Sequence, residues 1–292
     1  AAKGGGEGGD AERERPDRDD FFAMMFLGRC KHEMGEDTDA VFGRADMAWV
    51  KNKFAETDNL FGYKKAELDK VPVDEWLMLL MRIMIMEYNQ LLLARRYRLQ
   101  WGLREALVAL RSCKLEPPPK GGEGFNNAFH HSFYLATHIV YVQSAYNAIK
   151  ASEREIPWLY RYVRSSMRFW MKQVKAQRAD PSVYVDIDGI GEIVDCLRGC
   201  GMTEASDPMV CEGTLFMLRS QRKKGDWPSV IPGETAPESK LDPYHRIHPT
   251  WVCTQSLRDR DFRVADNQFW PDFIGKLLKE TEFHKLAYKP GW

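Results

Sequence analysis

The chain has 292 residues, 44% of them hydrophobic and 12% aromatic, enough to bury one large core or two small ones. Lys+Arg and Asp+Glu number 42 each, so no global charge points to nucleic acid or to a charged membrane surface. The six cysteines (Cys30, Cys113, Cys196, Cys200, Cys211 and Cys253) include no C-x-x-C pair and read as free thiols in a reducing compartment.

Residues 1–19 are Gly-rich and then charge-dense, so they cannot bury a core and are expected to be a disordered or extended tail. Such a tail could dock on a partner subunit. No secretory signal is visible, so the expected location is intracellular, cytoplasmic or organellar, following either initiator-methionine removal or cleavage of a transit peptide. Asp20 to Met34 reads as a short apolar helix, residues 37–54 as a weaker one, and residues 59–69 as a turn with some helix. Pro72-Val73-Asp74 opens the clearest helix, apolar almost all round, which predicts a central, buried position. Its most apolar run, Trp76 to Met86, contains Arg82 and falls short of the roughly 20 apolar residues of a membrane span. Arg95, Arg96, Arg98 and Arg104 follow, either as a solvated helix end or as a patch for anions. Residues 101–113 continue as helix.

Pro117-Pro118-Pro119-Lys120-Gly121-Gly122 is the strongest linker signal, and residues 117–125 are expected to divide an N-terminal helical unit (20–116) from the rest (126–292). Helices are expected over 126–150, 156–178 and 186–200, the last ended by Gly201. Asp207-Pro208 starts another with an N-cap carboxylate and a first-turn proline, and Gly225 can take the left-handed conformation that stops it. His248-Pro249-Thr250-Trp251 opens a helix to about residue 259, and 270–286 is the last helical segment. No stretch alternates with a two-residue period, so the chain is expected to be all-α, built of antiparallel helix pairs.

Gln221-x-x-x-Gly225-x-Trp227, preceded by Gly213 and Phe216-Met217, resembles the repeat motif of the terpenoid cyclases and protein prenyltransferases, the α/α-toroid superfamily. The basic residue usual at the start of that motif is Glu212 here. The resemblance implies that Gln221 caps a helix end and stacks on Trp227. It implies a partial or divergent α/α toroid behind the N-terminal unit, around an apolar, isoprenoid-like substrate. Asp186-Ile187-Asp188-Gly189 stands where class II cyclases carry Asp-x-Asp-Asp: Asp188 occupies the proton donor's position, and glycine replaces the last aspartate. The zinc set of the prenyltransferases would correspond to Asp195, His248 and Cys253.

The residues themselves offer one further constellation. The histidines are His130, His131, His138, His245 and His248: His131 and His138, seven apart, share a helix face, and His245 and His248 lie three apart where a helix begins. With Asp188, Glu192 or Asp195 these imidazoles could ligate a divalent metal or form an acid–base site. The alternatives are a hydrogen-bonded core role for His138 and capping roles for His248 and the aspartates. The aromatic set, from Phe129 to Trp251, could line a cleft or simply build the core. Two readings follow. One is an enzyme or ligand-binding protein whose site is His138, Asp188, Glu192, His245 and His248, with a divalent metal as candidate cofactor and an apolar small molecule as ligand. The other is a non-catalytic helical scaffold or accessory subunit of a larger assembly. The first requires His138, Glu192 and His248 to lie within ~10 Å of one another.

Overall fold

Helix starts in this chain are written in short polar side chains. Asn126 Oδ1 accepts from the backbone N–H groups of Ala128 (2.8 Å) and Phe129 (3.2 Å), Asp186 from Gly189 (3.1 Å), and Asp207 from Met209 (2.9 Å). Each such cap contributes about 1 kcal/mol. The computed structural model describes residues 18–38, 44–92, 98–120, 126–227, 243–260, 262 and 269–286. Among these the protein is all-α. Its helices are α1 (Arg18–Glu33), α2 (Arg44–Ala55), α3 (Thr57–Phe61), α4 (Val73–Leu92), α5 (Leu103–Leu110), α6 (Asn127–Ser144), α7 (Pro157–Ala179), α8 (Ile187–Gly199), α9 (Pro208–Ser220), α10 (Pro243–Leu257) and α11 (Phe269–Glu280). No described helix is long and apolar enough to cross a membrane. Residues 1–17 of the expected 1–19 tail, the arginines at 95 and 96, and the glycines at 121, 122 and 124 lie outside the described residues, while Arg18 and Asp19 already belong to α1 and not to a tail.

Neighbours along the chain reverse direction. Phe129 and Phe133 of α6 meet Trp170 of α7, while Ile156, Leu159 and Val163 at the other end of α7 lie beside Val140 and Gln143. The two helices are therefore antiparallel. Because α7 returns the chain, α6 and α8 run parallel: His130 meets Asp186, Thr137 meets Glu192, and Asn147 meets Asp195. In the same way α9 returns the chain so that α8 and α10 run parallel, pairing Asp188 with His248 and Asp195 with Arg260. The expectation of antiparallel pairs does not extend to α8 and α10, which lie two apart in the chain and run parallel because α9 returns the chain between them. α1 also runs parallel to α4, with Asp19 on Arg82 and the Met25 carbonyl on Asn89. α4 packs directly on α6. The buried core extends without a break from Phe21 to Phe283, across the 117–120 segment.

Two boundaries differ from expectation. α10 begins at Pro243 and passes through Pro249, so His248 lies inside a helix rather than at its start. Proline is compatible with a first helical turn, and at 243 it occupies that position, while Pro249 leaves one interior carbonyl without its usual donor. α9 stops at Ser220, five residues before Gly225, which takes φ 88° in the turn that follows. In that turn Gln221 Nε2 donates to the Gly225 carbonyl at 2.9 Å, and Trp227 Nε1 donates to the Met217 carbonyl at 2.8 Å. The tryptophan, rather than the glutamine, satisfies a free carbonyl at the helix end.

Candidate functional site

The helices that run parallel share one open cleft of about 2190 Å³. Side chains from α1, α4, α6, α8, α10 and the start of α11 line it, and none comes from α5, α7 or α9. Half of the large apolar side chains that are exposed among the described residues (Phe26, Met34, Met78, Tyr244 and Trp251) border this cleft. Apolar surface left in water costs roughly 25 cal/mol per Å², so the cleft favours an apolar occupant.

A polar centre lies in its wall. Asp188 and Glu192 are one turn apart on α8 and so share a face. His248 of α10 places Nδ1 at 2.9 and 3.0 Å from the two Asp188 oxygens. One ligand atom each from Asp188, Glu192 and His248 lie within 4.8 Å of one another. A transition-metal ion with bonds of about 2 Å needs its ligands within ~4 Å, so the set closes around one ion with small shifts. Glu192 is 2% exposed, and Asp188 and His248 expose 16% and 12% of their side chains. Gly191, between the two carboxylates, lets α10 approach: a Cβ there would stand 2.8 Å from Val252 Cγ1. Gly189 packs against the Phe133 ring, so no third carboxylate fits after Asp188.

α6 supplies the partners. Tyr134 Oη lies 2.8 Å from Asp188 Oδ2 and 3.2 Å from Asp186 Oδ2, so its single proton serves one carboxylate at a time. His130 Nε2 reaches Asp186 at 3.2 Å, and Thr137 Oγ1 donates to Glu192 at 2.5 Å. His138 Nδ1 lies 2.8 Å from the Tyr134 carbonyl, which can only accept, so Nδ1 carries the proton and Nε2 is the acceptor of the neutral ring. Burial pushes His138 down to about 4, which keeps it neutral at physiological pH. Burial, reinforced by the charge of Asp188, pushes the Glu192 carboxyl well above the ordinary range, against the Thr137 hydrogen bond. The Tyr134 and Tyr141 phenols are raised by burial and by these carboxylates, and stay protonated. Tyr244 stacks on the His248 ring at 4.5 Å, and Trp251 meets it edge-on at 5.8 Å.

Four of the five expected site residues therefore meet here: Asp188, Glu192, His248 and, 3.6 Å from Glu192, His138. The side chain of His245, on α10, lies outside the described residues. The Asp195–His248–Cys253 set does not assemble. Asp195 is held by Arg260 and by Asn147 (2.8 Å), and Cys253 Sγ is buried against the Ile187 carbonyl, five residues beyond His248 and on another side of the helix. Tyr134 and Thr137 were not anticipated as partners of the carboxylates, and His130, one of the candidate histidines, reaches Asp186 instead of the centre itself. Their spacing with His138 and Tyr141 (130, 134, 137, 138, 141) is one helical stripe, the signal that could have found them. Comparisons with protein-family models, with curated proteins and with solved structures gave no match.

Proposed function

We propose that the chain is an enzyme or ligand-binding protein that takes an apolar, isoprenoid-like molecule into the cleft beside a divalent cation held by Asp188, Glu192 and His248. The observation that carries the reading is the convergence of these three side chains in the wall of a cleft whose exposed side chains are largely apolar. Alternation of cleft-lining helices with outer ones, and the parallel run of α6, α8 and α10, support the likeness to the α/α toroids of the terpenoid cyclases and prenyltransferases. When bound, a cation supplies a Lewis acid and neutralises buried negative charge. Tyr134 orients Asp188, Thr137 orients Glu192, and neutral His138 offers Nε2 to accept a proton. A non-catalytic scaffold has less in its favour, because two carboxylates, Asp188 and Glu192, so close together in the wall burden stability without serving a purely structural role.

Isothermal titration with Mn²⁺, Mg²⁺ and Zn²⁺, together with farnesol quenching of protein tryptophan fluorescence, tests this reading. One cation per chain is expected to bind, with affinity lowered by more than about tenfold in His248→Ala and Asp188→Asn. Farnesol is expected to quench saturably. Absence of both binding events would leave the scaffold reading standing.

A further inference from the structure

The cleft is a trough with poles of opposite charge. α6 and α10 run parallel along it, and each lines it with a stripe of side chains at helical spacing. Tyr134, His138, Tyr141 and Ala145 belong to the α6 side; His248, Val252, Gln255 and, just past the helix end, Arg258 belong to the α10 side. The Asp188–Glu192–His248 centre lies toward the starts of these helices. From His248 to Arg258 the rise is about 15 Å, at ~1.5 Å per residue. Trp251, 51% exposed, borders the trough between the two.

The far end is cationic, and a strained turn helps to build it. Ala145, Tyr146 and Asn147 have φ of 49°, 58° and 59°, and none is a glycine. Left-handed residues with side chains are uncommon, and such strain persists where the surroundings impose it. Here the Asn147 side chain donates to Asp195 Oδ2 at 2.8 Å, and the Ala151 N–H donates to the Gly199 carbonyl at 2.9 Å, which folds the turn onto the end of α8. The Lys150 side chain is thereby laid over Gly201, where a Cβ would stand 2.7 Å from Nζ. The Arg258 carbonyl accepts from Arg198 Nη1 at 3.4 Å, so Lys150 and Arg258 gather at one end of α8, and both border the cleft. Among the described residues, neither the Lys150 ammonium nor the Arg258 guanidinium takes part in an ion pair or hydrogen bond. Asp195 is held by Arg260 and Asn147, and Glu204 by Arg198 and Thr214, so neither acid neutralises them. Arg260, its side chain 7% exposed, also borders the cleft and leaves its Nε–H without an acceptor. Cations that only complemented helix C-termini would not include a buried N–H left unpaired.

We infer that the trough takes a linear amphiphile whose oxyanion head, a carboxylate or phosphate, sits at Lys150, Arg258 and Arg260, and whose apolar chain lies past Gln255, Val252 and Trp251 to end at the Asp188–Glu192–His248 centre. The inference rests on the apolar-ligand reading above and adds the head and the direction. Guanidinium and ammonium groups pair with such oxyanions, and the oxyanion is the acceptor that the Arg260 Nε–H lacks. The carboxylates at the opposite pole repel the same head, which fixes the direction of the chain. The group presented to the centre is therefore the end of the chain remote from the head.

The test uses dodecanoate, dodecyl phosphate, 1-dodecanol and butanoate, dissolved below any micelle-forming concentration, in EDTA, with affinities from calorimetry. Both dodecyl anions are expected to bind about tenfold or more tightly than the alcohol. The double variant Lys150→Gln with Arg258→Gln changes two exposed side chains and is expected to fold as the wild type does. It is expected to bring both anions to the level of the alcohol, whose own affinity stays the same. Butanoate, with a head and almost no chain, is expected to bind more than about a hundredfold more weakly than dodecanoate. The tighter of the two dodecyl anions tells a carboxylate source from a phosphate source. If the alcohol binds and the anions bind no more tightly, the headgroup inference fails alone. If the double variant keeps the preference for anions, the head lies elsewhere and the inference is wrong. If butanoate matches dodecanoate, the chain does not lie in the trough and the inference is equally wrong. If no dodecyl ligand binds, the apolar-ligand reading fails with it. Should the double variant not fold, the two single variants are compared in its place.

Discussion

Gly191→Ala tests whether the spacing of α8 and α10 governs the site. The added Cβ would stand 2.8 Å from Val252 Cγ1, 3.5 Å from Cys253 Sγ and 3.6 Å from the Cys253 nitrogen. Carbon atoms rest at about 3.5–4.0 Å, so α10 must lift by something like 0.7 Å or Val252 must leave its rotamer. Overpacking of this kind costs about 1–3 kcal/mol, a fall of roughly 2–5 °C in Tm for a chain of this size. His248 is one turn before Val252 on the same face, so lifting α10 stretches its 2.9 Å contact with Asp188 beyond hydrogen-bond reach. Thermal melts and Mn²⁺ titration are the assays. Gly191→Ala is expected to lower both Tm and cation affinity, and Gly191→Ala with Val252→Ala, which removes the obstructing methyl, to recover both. Weakened folding with unchanged Mn²⁺ affinity, or no recovery in the double variant, would refute the argument.

Burial pushes the Glu87 carboxyl up to about 7, opposed by the Leu103 N–H it accepts and helped by the charge of Glu105. A raised acid binds its proton more tightly when folded, so stability is full below about pH 4.5 and falls as pH rises toward 7. Urea unfolding is expected to show Glu87→Gln gaining on wild type by at most ~3 kcal/mol between pH 4.5 and 8; parallel pH profiles would contradict this. Trp227→Phe leaves the Met217 carbonyl without its donor and is expected to cost about 1–2 kcal/mol, whereas Gln221→Ala, at an exposed bond, costs less than ~0.5 kcal/mol; the reverse order in chemical denaturation would restore the glutamine as the cap. Arg260→Met strands the buried Asp195 carboxylate and is expected to cost about 3 kcal/mol or more, part of it recovered by adding Asp195→Asn; equal stability of the single and double variants would show that the pair carries no charge penalty.

Much of the fold was legible because local chemistry wrote it. Asn126, Asp186 and Asp207 announce three helix starts, and the all-round apolarity of α4 announces a central position. Pairwise direction was legible too, since short connections reverse the chain. The relation between alternate helices was not: that α8 and α10 run parallel depends on the return through α9, which no local signal carries. The site was half legible. Asp188, Glu192 and His248 stand out as titratable residues at helical spacing. The phenol and hydroxyl of Tyr134 and Thr137 look in sequence like any polar side chain on an apolar helix, and only the packing of α6 beside α8 turns them into partners. The packing of Arg29 between the Tyr88 ring (4.6 Å) and the Tyr146 ring (4.5 Å) is invisible in sequence, because the three residues come from segments far apart in the chain.

The parallel run of α6, α8 and α10 also explains why the carboxylates sit where they do. Parallel helices bring their N-terminal ends to one side of the molecule, and each end carries a partial positive charge and unpaired N–H groups. His130 lies in the first turn of α6, Asp188 in the first turn of α8, with Asp186 as its cap, and His248 early in α10. The helix ends can therefore stabilise Asp186 and Asp188 without a lysine or arginine, which would neutralise the centre permanently. Glu192 lies a full turn deeper, where that support has faded and burial dominates, so its proton is held tightly. One helix thus sets two carboxyl groups a turn apart beside the same imidazole, Asp188 at its N-terminal end and Glu192 buried a turn deeper, an arrangement that arises from the order in which α8 leaves its cap.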